Sequence, residues 1–588
     1  MRRVANIASG VVALALLAAS GAASAQAVRP PTREELQIGD AEPATPPPRQ
    51  RVTVAGEIER GPCPLADPAY AAVSVDFAKV DFTNLTAVSP TLLDPTWRDL
   101  AGREVPIASL CEIRDRAATL LRQQGYLAAV QVPPQRIDKG GTVRMDVLIA
   151  RLVEVQVRGE TGNAERRIAA HVAKLTKGEF FNLTSAERHL LLLGDLPGYD
   201  VRMTLRPAGK PGEVFGDILV VRRPLEVIGA IQNLGSKSAG RHGGLLQATL
   251  NDVTGLGDRT QLSVYNTFQV SEQTVAQIAH DFALGTDGWR FGGSFVYGRS
   301  EPPFEVKIKS RTLIGRIEAT YPIVRRQTLT LRGIGGVELV DQRVDLAGLR
   351  VSEDRLRILY ARLDLDMIDK ASLGGRAGYS DNDPFWRIAG SVELRKGLGA
   401  LGASRDCTPI ADCTGTRVPI SNFFADPRAL VLRAESVLEY RPLPKLALIV
   451  APRAQIAAKA LLPYEQFSLG NYTIGRGLDP GVVQGDKGVG SSVELRFGKR
   501  SFQRARTLTL LPYGFFDAAW AWNNDDGFTA DPRRVLTAGG GVRIPWRDRL
   551  EANLSLAVPL ERAGTQTKRG DLRFLFTIAT RLAPWKDR

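Results

Sequence analysis

The sequence predicts a transmembrane β-barrel of 16 antiparallel strands, preceded by two small α+β modules. Three observations support this fold class. The chain begins with an export signal, helical periodicity fades after about residue 223, and apolar and polar residues alternate in the segments that follow. With 588 residues, the chain is too long for one soluble domain of roughly 100–200 residues.

The export signal occupies residues 1–25. Arg2 and Arg3 give a basic start, residues 11–19 form a short apolar run, and residues 23–25 (ASA) offer a cleavage site. An uncleaved anchor helix is the alternative, although the run is shorter than the roughly 20 residues that span a membrane. No later apolar run reaches that length, so a helical inner-membrane protein is not expected.

The four cysteines indicate disulfides. Cys63 and Cys111 lie in one early segment, and Cys407 and Cys413 lie in one late segment. An exported chain meets an oxidising compartment, which favours two local disulfides over free thiols. Four cysteines allow three pairings, so this pairing rests on proximity alone. No histidine neighbours either pair, and the sequence therefore predicts no metal site.

Residues 26–50 are expected to be a Pro-rich linker, in which residues 32–36 could begin a short helix. Residues 51–150 are expected to be the first α+β module. Its elements are predicted as a strand at 73–77, a helix at 113–124 that ends before Gly125, and a strand at 142–149.

Residues 151–223 repeat this plan as a second module. Its elements are predicted as a strand at 153–157, helices at 165–175 and 185–193, and strands at 201–205 and 218–221. Thr184 or Ser185 is expected to cap the second helix, because a hydroxyl there accepts from a free backbone N–H.

Residues 224–588 alternate as barrel strands do. In one segment Leu262 and Val264 face one way, while Ser263 and Tyr265 face the other. Many segments carry charges along one face, which suits a water-filled barrel interior better than a soluble sandwich. Sixteen strands are expected to begin near residues 225, 242, 258, 273, 288, 310, 326, 355, 385, 428, 444, 488, 506, 533, 549 and 571.

The connectors divide into two classes, as in bacterial barrels with short periplasmic turns and longer outer loops. Residues 441–445 and 546–549 suit short turns, and residues 398–427 and 459–487 suit long loops. The first long loop contains both late cysteines, so their disulfide would stiffen the outer side.

No enzymatic site is evident from the sequence. His171, His189, His242 and His280 lie in different elements, without the pattern of a nucleophile and its base. Residues 485–492 superficially resemble a phosphate-binding loop but lack its lysine. The formal charge of +14 is spread through the alternating strands, so nucleic acid is not an expected partner. The sequence predicts no catalytic residues, no metal and no cofactor.

Motifs in the modules resemble a known family. In the first module these are residues 125–126 (GY) and 134–135 (PQ). In the second, residues 187–193 (ERHLLLL), followed by 195–198 (DLPG), are similar to an ER-x-LLLL-x-DLPG stretch. Together with the export signal, linker and barrel, these motifs resemble the two-partner secretion transporters, the hemolysin secretion/activation proteins of the ShlB/FhaC/HecB type. The resemblance implies that both modules are POTRA domains.

Two barrel motifs carry the same resemblance. Residues 474–478 (IGRGL) resemble the family's [VI]-R-G-[FY] tip of the sixth loop, which folds back into the lumen. Residues 515–519 (FFDAA) resemble its F-x-D-x-G strand motif. The resemblance implies that Arg476, beside Gly477, binds Asp517 and locks the loop against the barrel wall.

The period of two along a strand places Phe515 and Asp517 on the same, lumen-facing side. The chain departs from the family's motifs at three positions. Gly475 replaces an aliphatic residue, Leu478 replaces an aromatic residue and Ala519 replaces the final glycine.

The resemblance implies an outer-membrane translocator with its POTRA modules in the periplasm. The modules would recognise a large, unfolded exoprotein by adding its extended strand to an exposed sheet edge. The exoprotein would then pass through the barrel to the cell surface. The translocator's other partner would be outer-membrane lipid. The alternatives are a factor that assembles other barrels, a passive porin, and a structural or adhesive surface protein.

Overall fold

A computed structural model describes residues 30–37, 63–176, 178, 180–210, 212–237, 239–303, 307–407, 413, 418–498, 500–502, 505–524, 531, 533–547, 549–564 and 568–584. The predicted export signal and most of the predicted linker lie outside these residues. No helix among the described residues is long and apolar enough to cross a membrane.

A short helix, α1 (Arg33–Leu36), begins where the linker sequence allows one. Thr32 and Glu35 form a capping box at its start. The Glu35 N–H donates to Thr32 Oγ1 at 3.2 Å, and the Thr32 N–H donates to Glu35 Oε2 at 2.9 Å. These bonds satisfy backbone groups that so short a helix leaves unpaired. Leu36 is fully buried in an apolar cluster that includes Tyr265 of the barrel.

The first module is a four-stranded sheet packed on one helix. Its elements are β1 (Ser74–Thr83), β2 (Glu104–Pro106), α2 (Ser109–Gln123), β3 (Ala128–Gln131) and β4 (Gly141–Ile149). The sheet order is β2–β1–β4–β3, with β1 parallel to β4 and the other neighbours antiparallel. Ile113, Ala117 and Leu121 lie on one face of α2 and are fully buried.

The second module is a three-stranded sheet with two helices. Its elements are β5 (Arg151–Gly159), α3 (Glu165–Leu175), α4 (Leu183–Gly194), β6 (Tyr199–Pro207) and β7 (Glu213–Arg222). The sheet order is β5–β7–β6, with β5 parallel to β7. The prediction that Thr184 or Ser185 caps the second helix was wrong. Asn182 caps α4, because its Oδ1 accepts from the N–H groups of Thr184 and Ser185 at 3.0 and 3.2 Å.

The rest of the chain forms a closed ring of strands. Its strands are β8 (Leu225–Gln232), β9 (Gly243–Asn251), β10 (Arg259–Thr267), β11 (Gln273–Leu284), β12 (Trp289–Ser300), β13 (Ile308–Arg325), β14 (Leu329–Leu346), β15 (Leu349–Ile368), β16 (Trp386–Gly397), β17 (Leu430–Leu443), β18 (Leu446–Ala457), β19 (Phe467–Leu469), β20 (Val483–Gly485), β21 (Lys487–Phe497), β22 (Arg500–Phe502), β23 (Ala505–Trp522), β24 (Arg533–Trp546), β25 (Leu550–Pro559) and β26 (Arg573–Ala583). Strands β19 and β20 pair with each other inside a loop. The three-residue β22 pairs antiparallel with the first part of β23, and the two form a small hairpin. The other sixteen strands form the barrel wall.

Strand β26 pairs antiparallel with β8 and closes the ring. A closed ring suits a membrane because lipid offers no hydrogen-bonding partner to an unpaired strand edge. Side chains alternate between its two sides. On β10, Leu262 and Val264 are exposed on the outside, whereas Ser263 and Tyr265 are buried on the inside. The predicted sixteen-strand antiparallel barrel behind α+β modules is therefore confirmed.

The second module lies against one end of the barrel. The Arg325 guanidinium, at the end of β13, donates two hydrogen bonds to the Asp195 carboxylate, each of 2.7 Å. The Tyr199 hydroxyl donates to the carboxylate of Asp252, in the β9–β10 turn, at 2.6 Å. We call this the module end of the barrel and the opposite end the far end.

The two longest connectors lie at the far end, although residues 369–385 form a long connector at the module end and residues 347–348 a short turn at the far end. At the module end, residues 444–445 join β17 to β18 and residues 547–549 join β24 to β25. At the far end, residues 398–429 and 458–486 form long loops, and the second of these is the sixth far-end loop. The two predicted short turns therefore lie at one end of the barrel and the two predicted long loops at the other, as expected from the sequence.

All four cysteines are disulfide-bonded. Cys63 is joined to Cys111 of α2, and Cys407 is joined to Cys413 in the fifth far-end loop. The first bond spans 48 residues and ties the start of the first module to its helix. The second spans 6 residues and closes a small loop.

The longer disulfide is expected to stabilise the first module. Replacing Cys63 and Cys111 together by serine should lower the free energy of unfolding by about 4 kcal/mol, because the cross-link restricts the unfolded chain. Limited proteolysis of the purified protein should then cut the module faster. The matched control replaces Cys407 and Cys413 by serine. A first module that resists protease equally well without its disulfide would contradict this prediction.

Candidate functional site

The sixth far-end loop folds into the barrel instead of extending away from it. Its two limbs pair through β19 and β20, so that it enters as a hairpin. Leu469, Ile474 and Leu478 are buried, in a cluster that includes Val535 of the barrel wall. Apolar side chains of a loop are sheltered from water in this way only when the loop lies against the wall. The lumen is thus filled by part of the chain itself.

Two glycines give the loop its sharp tip. Gly475 and Gly477 have φ angles of +114° and +91°, a region that favours glycine. A Cβ atom on Gly475 would lie 2.7 Å from Val535, and one on Gly477 would lie 2.8 Å from Ala557. The tip therefore turns at close range to strands β24 and β25, and any larger residue would push it from the wall.

Arg476 binds Asp517 of β23 through a two-pronged contact. Its Nε donates to Asp517 Oδ2 at 3.1 Å, and a terminal nitrogen donates to Oδ1 at 2.7 Å. The Arg476 backbone N–H also donates to Oδ2, at 2.9 Å. Two parallel bonds from a guanidinium fix orientation as well as charge, which a lysine could not do. We call this pair the arginine lock.

The carboxylate of Asp517 is fully buried, at 0% exposure, and it needs these donors. The hydroxyl of Ser492, on the neighbouring strand β21, donates to Oδ1 at 2.7 Å. The Gly475 N–H adds a longer bond to Oδ2, at 3.3 Å. A buried carboxylate without such partners would carry a large desolvation cost. Asp517 is therefore stable in this position only while the loop tip supplies Arg476.

Arg476 has two further neighbours: Phe515, which the sequence included in the predicted lock, and Glu494, which it did not. Its other terminal nitrogen donates to Glu494 at 2.9 Å, and its guanidinium lies 3.6 Å from the centre of the Phe515 ring. Glu494 also pairs with Arg543 at 2.8 Å and with Arg496 at 2.6 Å. Alternation along β21 identifies Glu494 as a lumen residue. Only the register that sets it opposite Phe515 makes it a partner of the tip.

The three departures from the family motifs are accommodated by packing. Leu478 is fully buried beside the tip, and Ala519 is fully buried on β23. A Cβ on Gly490, across the strand pair from Ala519, would lie 2.4 Å from the Ala519 Cβ. Gly490 thus leaves room for an alanine where the motif has glycine, and the strand pair keeps its spacing.

The remaining predicted site residues lie apart from the lock. The disulfide of Cys407 and Cys413 belongs to the fifth far-end loop, and that of Cys63 and Cys111 belongs to the first module. Within the described part of the chain, no group of three or more His, Cys, Asp or Glu side chains could hold a metal ion.

Comparison with protein families identifies the chain's relatives. Residues 219–544 match the model of the haemolysin secretion/activation protein ShlB/FhaC/HecB, which is more than half of the chain. Residues 75–149 match the POTRA domain of ShlB type. The chain belongs to the ShlB/FhaC/HecB family. Its barrel therefore lies in the outer membrane, with the N-terminal modules in the periplasm.

Individual relatives are more distant. The heme/hemopexin transporter protein HuxB of Haemophilus influenzae (strain 86-028NP) is 24% identical over 207 residues, 34% of this chain and 36% of that relative. The match thus spans about a third of the length of this curated relative. CdiB from Escherichia coli is similar in structure, with a TM-score of 0.67 and 15% identity over 88% of this chain and 94% of that chain. CdiB from Acinetobacter baumannii gives a TM-score of 0.61 and 17% identity over 93% of this chain and 96% of that chain.

The arginine lock is expected to hold the sixth loop against the wall. Arg476→Ala and Asp517→Ala should each speed cleavage within residues 458–486 by protease added to folded protein, because each removes one half of a buried pair. The double variant should be less affected than the two single effects added, with a coupling of roughly 1–3 kcal/mol.

The control is Arg387→Ala, which removes a wall arginine of β16 that pairs with Asp366 and belongs to a different ion pair. Strictly additive effects of the two lock substitutions would mean that Arg476 and Asp517 act separately.

Proposed function

We propose that this protein secretes a large exoprotein across the outer membrane by two-partner secretion. The observation that supports it best is a wide barrel whose lumen is filled by its own sixth loop, held by the arginine lock. Two periplasmic modules precede this channel, and the second is docked at its entrance. The relative HuxB is a heme/hemopexin transporter protein, which agrees with this class of function.

A filled lumen favours a gated channel over a passive porin. A barrel of sixteen strands is wide enough to leave an aqueous channel, which a porin keeps open for small solutes. Here the loop tip lies against the wall through Asp517, Ser492 and Glu494. An unfolded chain would pass only after the loop moves aside. The polar lumen would then offer charged and hydroxyl groups to an extended, hydrated chain.

The alternative of a barrel-assembly factor is less well supported. Such factors usually carry more POTRA modules, whereas the described residues before this barrel form two α+β modules. The DLPG stretch at residues 195–198 also resembles the secretion transporters. We therefore favour secretion of one partner over insertion of many barrels. No nucleotide is available in the periplasm, so folding of the exoprotein outside the cell would provide the direction of movement.

Strand β5 is the best candidate for exoprotein capture. It lies at the edge of the second module's sheet, and among the described residues only β7 pairs with it. Val153 and Val157 of this strand are 50% and 38% exposed. The strand also carries the charged residues Arg151, Glu154 and Arg158, which protect its edge in part, but no second strand covers that edge among the described residues. An open edge of nine residues is suited to adding an extended strand, with backbone hydrogen bonds for affinity.

The first module offers less edge. Its sheet ends in β2 and β3, which are only three and four residues long. A strand added there would gain few backbone hydrogen bonds. We therefore assign capture to the second module. Of its two edge strands we favour β5, because β6 buries its apolar residues and exposes Arg202 and Arg206, whereas β5 exposes two valines.

Culture supernatants test the proposed secretion. Cells without this protein should lose one large secreted protein and keep their other outer-membrane barrels. Arg476→Ala should cause the same loss while the amount of this protein in the outer membrane stays normal. The reason is that the loop tip can no longer bind Asp517 in its position against the wall. A general loss of barrels would instead support the assembly factor, and unchanged supernatants would contradict secretion.

Substitutions on β5 test the capture site. Val153→Lys with Val157→Lys should weaken binding of the identified exoprotein to the purified full chain severalfold, because charges oppose strand addition. The matched control is Leu219→Lys with Val221→Lys, which places the same charges on exposed positions of the central strand β7. Equal losses in both variants would argue against recognition at the β5 edge.

A further inference from the structure

The sixth loop has a second attachment to the wall, on its entering limb. A short 3₁₀ turn, Pro463–Glu465, lies before β19 and is largely buried. The Glu465 carboxylate accepts from Arg395 of β16 at 2.9 and 3.1 Å. Arg433 of β17 lies 3.3 Å from the same carboxylate. This contact is separate from the arginine lock, whose wall partners lie on β21 and β23.

The second attachment is part of a buried chain of alternating charges. Glu338 of β14 accepts from Arg395 and from Arg316 of β13, each at 2.6 Å. The side chains of Arg395, Glu465 and Glu338 are 4%, 6% and 0% exposed. Charges so deeply buried persist only when each one has its partner, so the loss of one member affects the others.

The loop supplies the charge that balances this cluster. The wall contributes the arginines at 316, 395 and 433, and it contributes the carboxylates at 338 and 393. One positive charge is left over among these contacting side chains. Glu465 provides the matching negative charge from the loop. The wall is therefore complementary to a loop that carries a carboxylate at this position.

Helix α1 packs against the same loop. Leu36 of α1 and Tyr464 of the loop belong to one buried apolar cluster. On the other limb, a Cβ placed on Gly481 would lie 2.8 Å from the Thr32 side chain. The N-terminal segment thus contacts both limbs of the loop, and a loop that leaves the lumen removes its support.

We propose that Glu465 is a second lock, which holds the sixth loop and α1 in the closed lumen independently of Arg476. This inference rests on the proposed function, in which the loop fills the channel that the exoprotein uses. The two locks lie on different parts of the loop and bind different sectors of the wall. Breaking one leaves the loop tethered by the other, so full opening requires both to release.

Single-channel recording tests the second lock. The purified full chain is inserted into a planar lipid bilayer in potassium chloride, with no exoprotein present. Glu465→Gln should raise the fraction of time in the open, conducting state about tenfold, the change expected for loss of a charged hydrogen-bonded contact. The matched control is Asp364→Asn, which removes a wall carboxylate of β15 that pairs with Arg362 at 2.9 Å and lies outside this cluster.

An increase with Glu465→Gln that the control lacks supports the second lock. Equal increases in both variants would overturn the second lock, because loss of a carboxylate from the wall would then open the channel without loss of the loop contact. No increase in either variant would also overturn it. If the glutamine variant does not assemble, Glu465→Asp keeps the charge with a shorter reach and should raise opening to a smaller extent; no rise would overturn the lock. Secretion by the same variants is measured separately, so that failure of the lock and failure of the secretion function remain distinct.

Discussion

The structure depends on one constraint: lipid cannot hydrogen-bond to a peptide backbone. The barrel meets it by pairing β26 with β8, so that every wall strand has two neighbours. A ring of sixteen strands encloses more space than its own side chains fill, and barrels of this size ordinarily contain water. Closure of the wall therefore leaves a lumen that either water or part of the chain occupies. Here the sixth loop and α1 occupy it.

The sixth loop and α1 are held in the lumen by charged contacts as well as by apolar packing. An apolar core becomes more stable the more surface it buries, and exposing it to water is costly. Charged groups behave differently, because water compensates them well once they separate. Arg476 and Glu465 therefore hold the loop firmly while the lumen is closed. If they separate from the wall, water can solvate both side chains. This would suit the movement of the loop in the proposed secretion cycle.

The strands were largely predictable from the sequence, whereas most contacts between them were not. Predicted starts at 225, 273 and 533 coincide with those of β8, β11 and β24, because alternation appears directly in the residue order. Strand β15 begins at Leu349 instead of 355, since its first residues extend into a polar hairpin without the apolar alternation of a membrane face. The motifs led to Arg476 and Asp517. Glu494 and Glu465 were missed, because a cross-strand partner depends on register and loop path.

The ER-x-LLLL-x-DLPG stretch packs into the core of the second module with one side and contacts the barrel with the other. Leu190 and Leu193 of α4 lie in the core of the second module. On the opposite side, Glu187 accepts from the Gln327 N–H at 2.8 Å, and Asp195 binds Arg325. A helix that places leucines inward and charges outward at these spacings must satisfy both the module and the barrel. The second module is thereby fixed to the barrel end, and its sheet, which includes the proposed capture strand β5, has a defined position relative to the barrel.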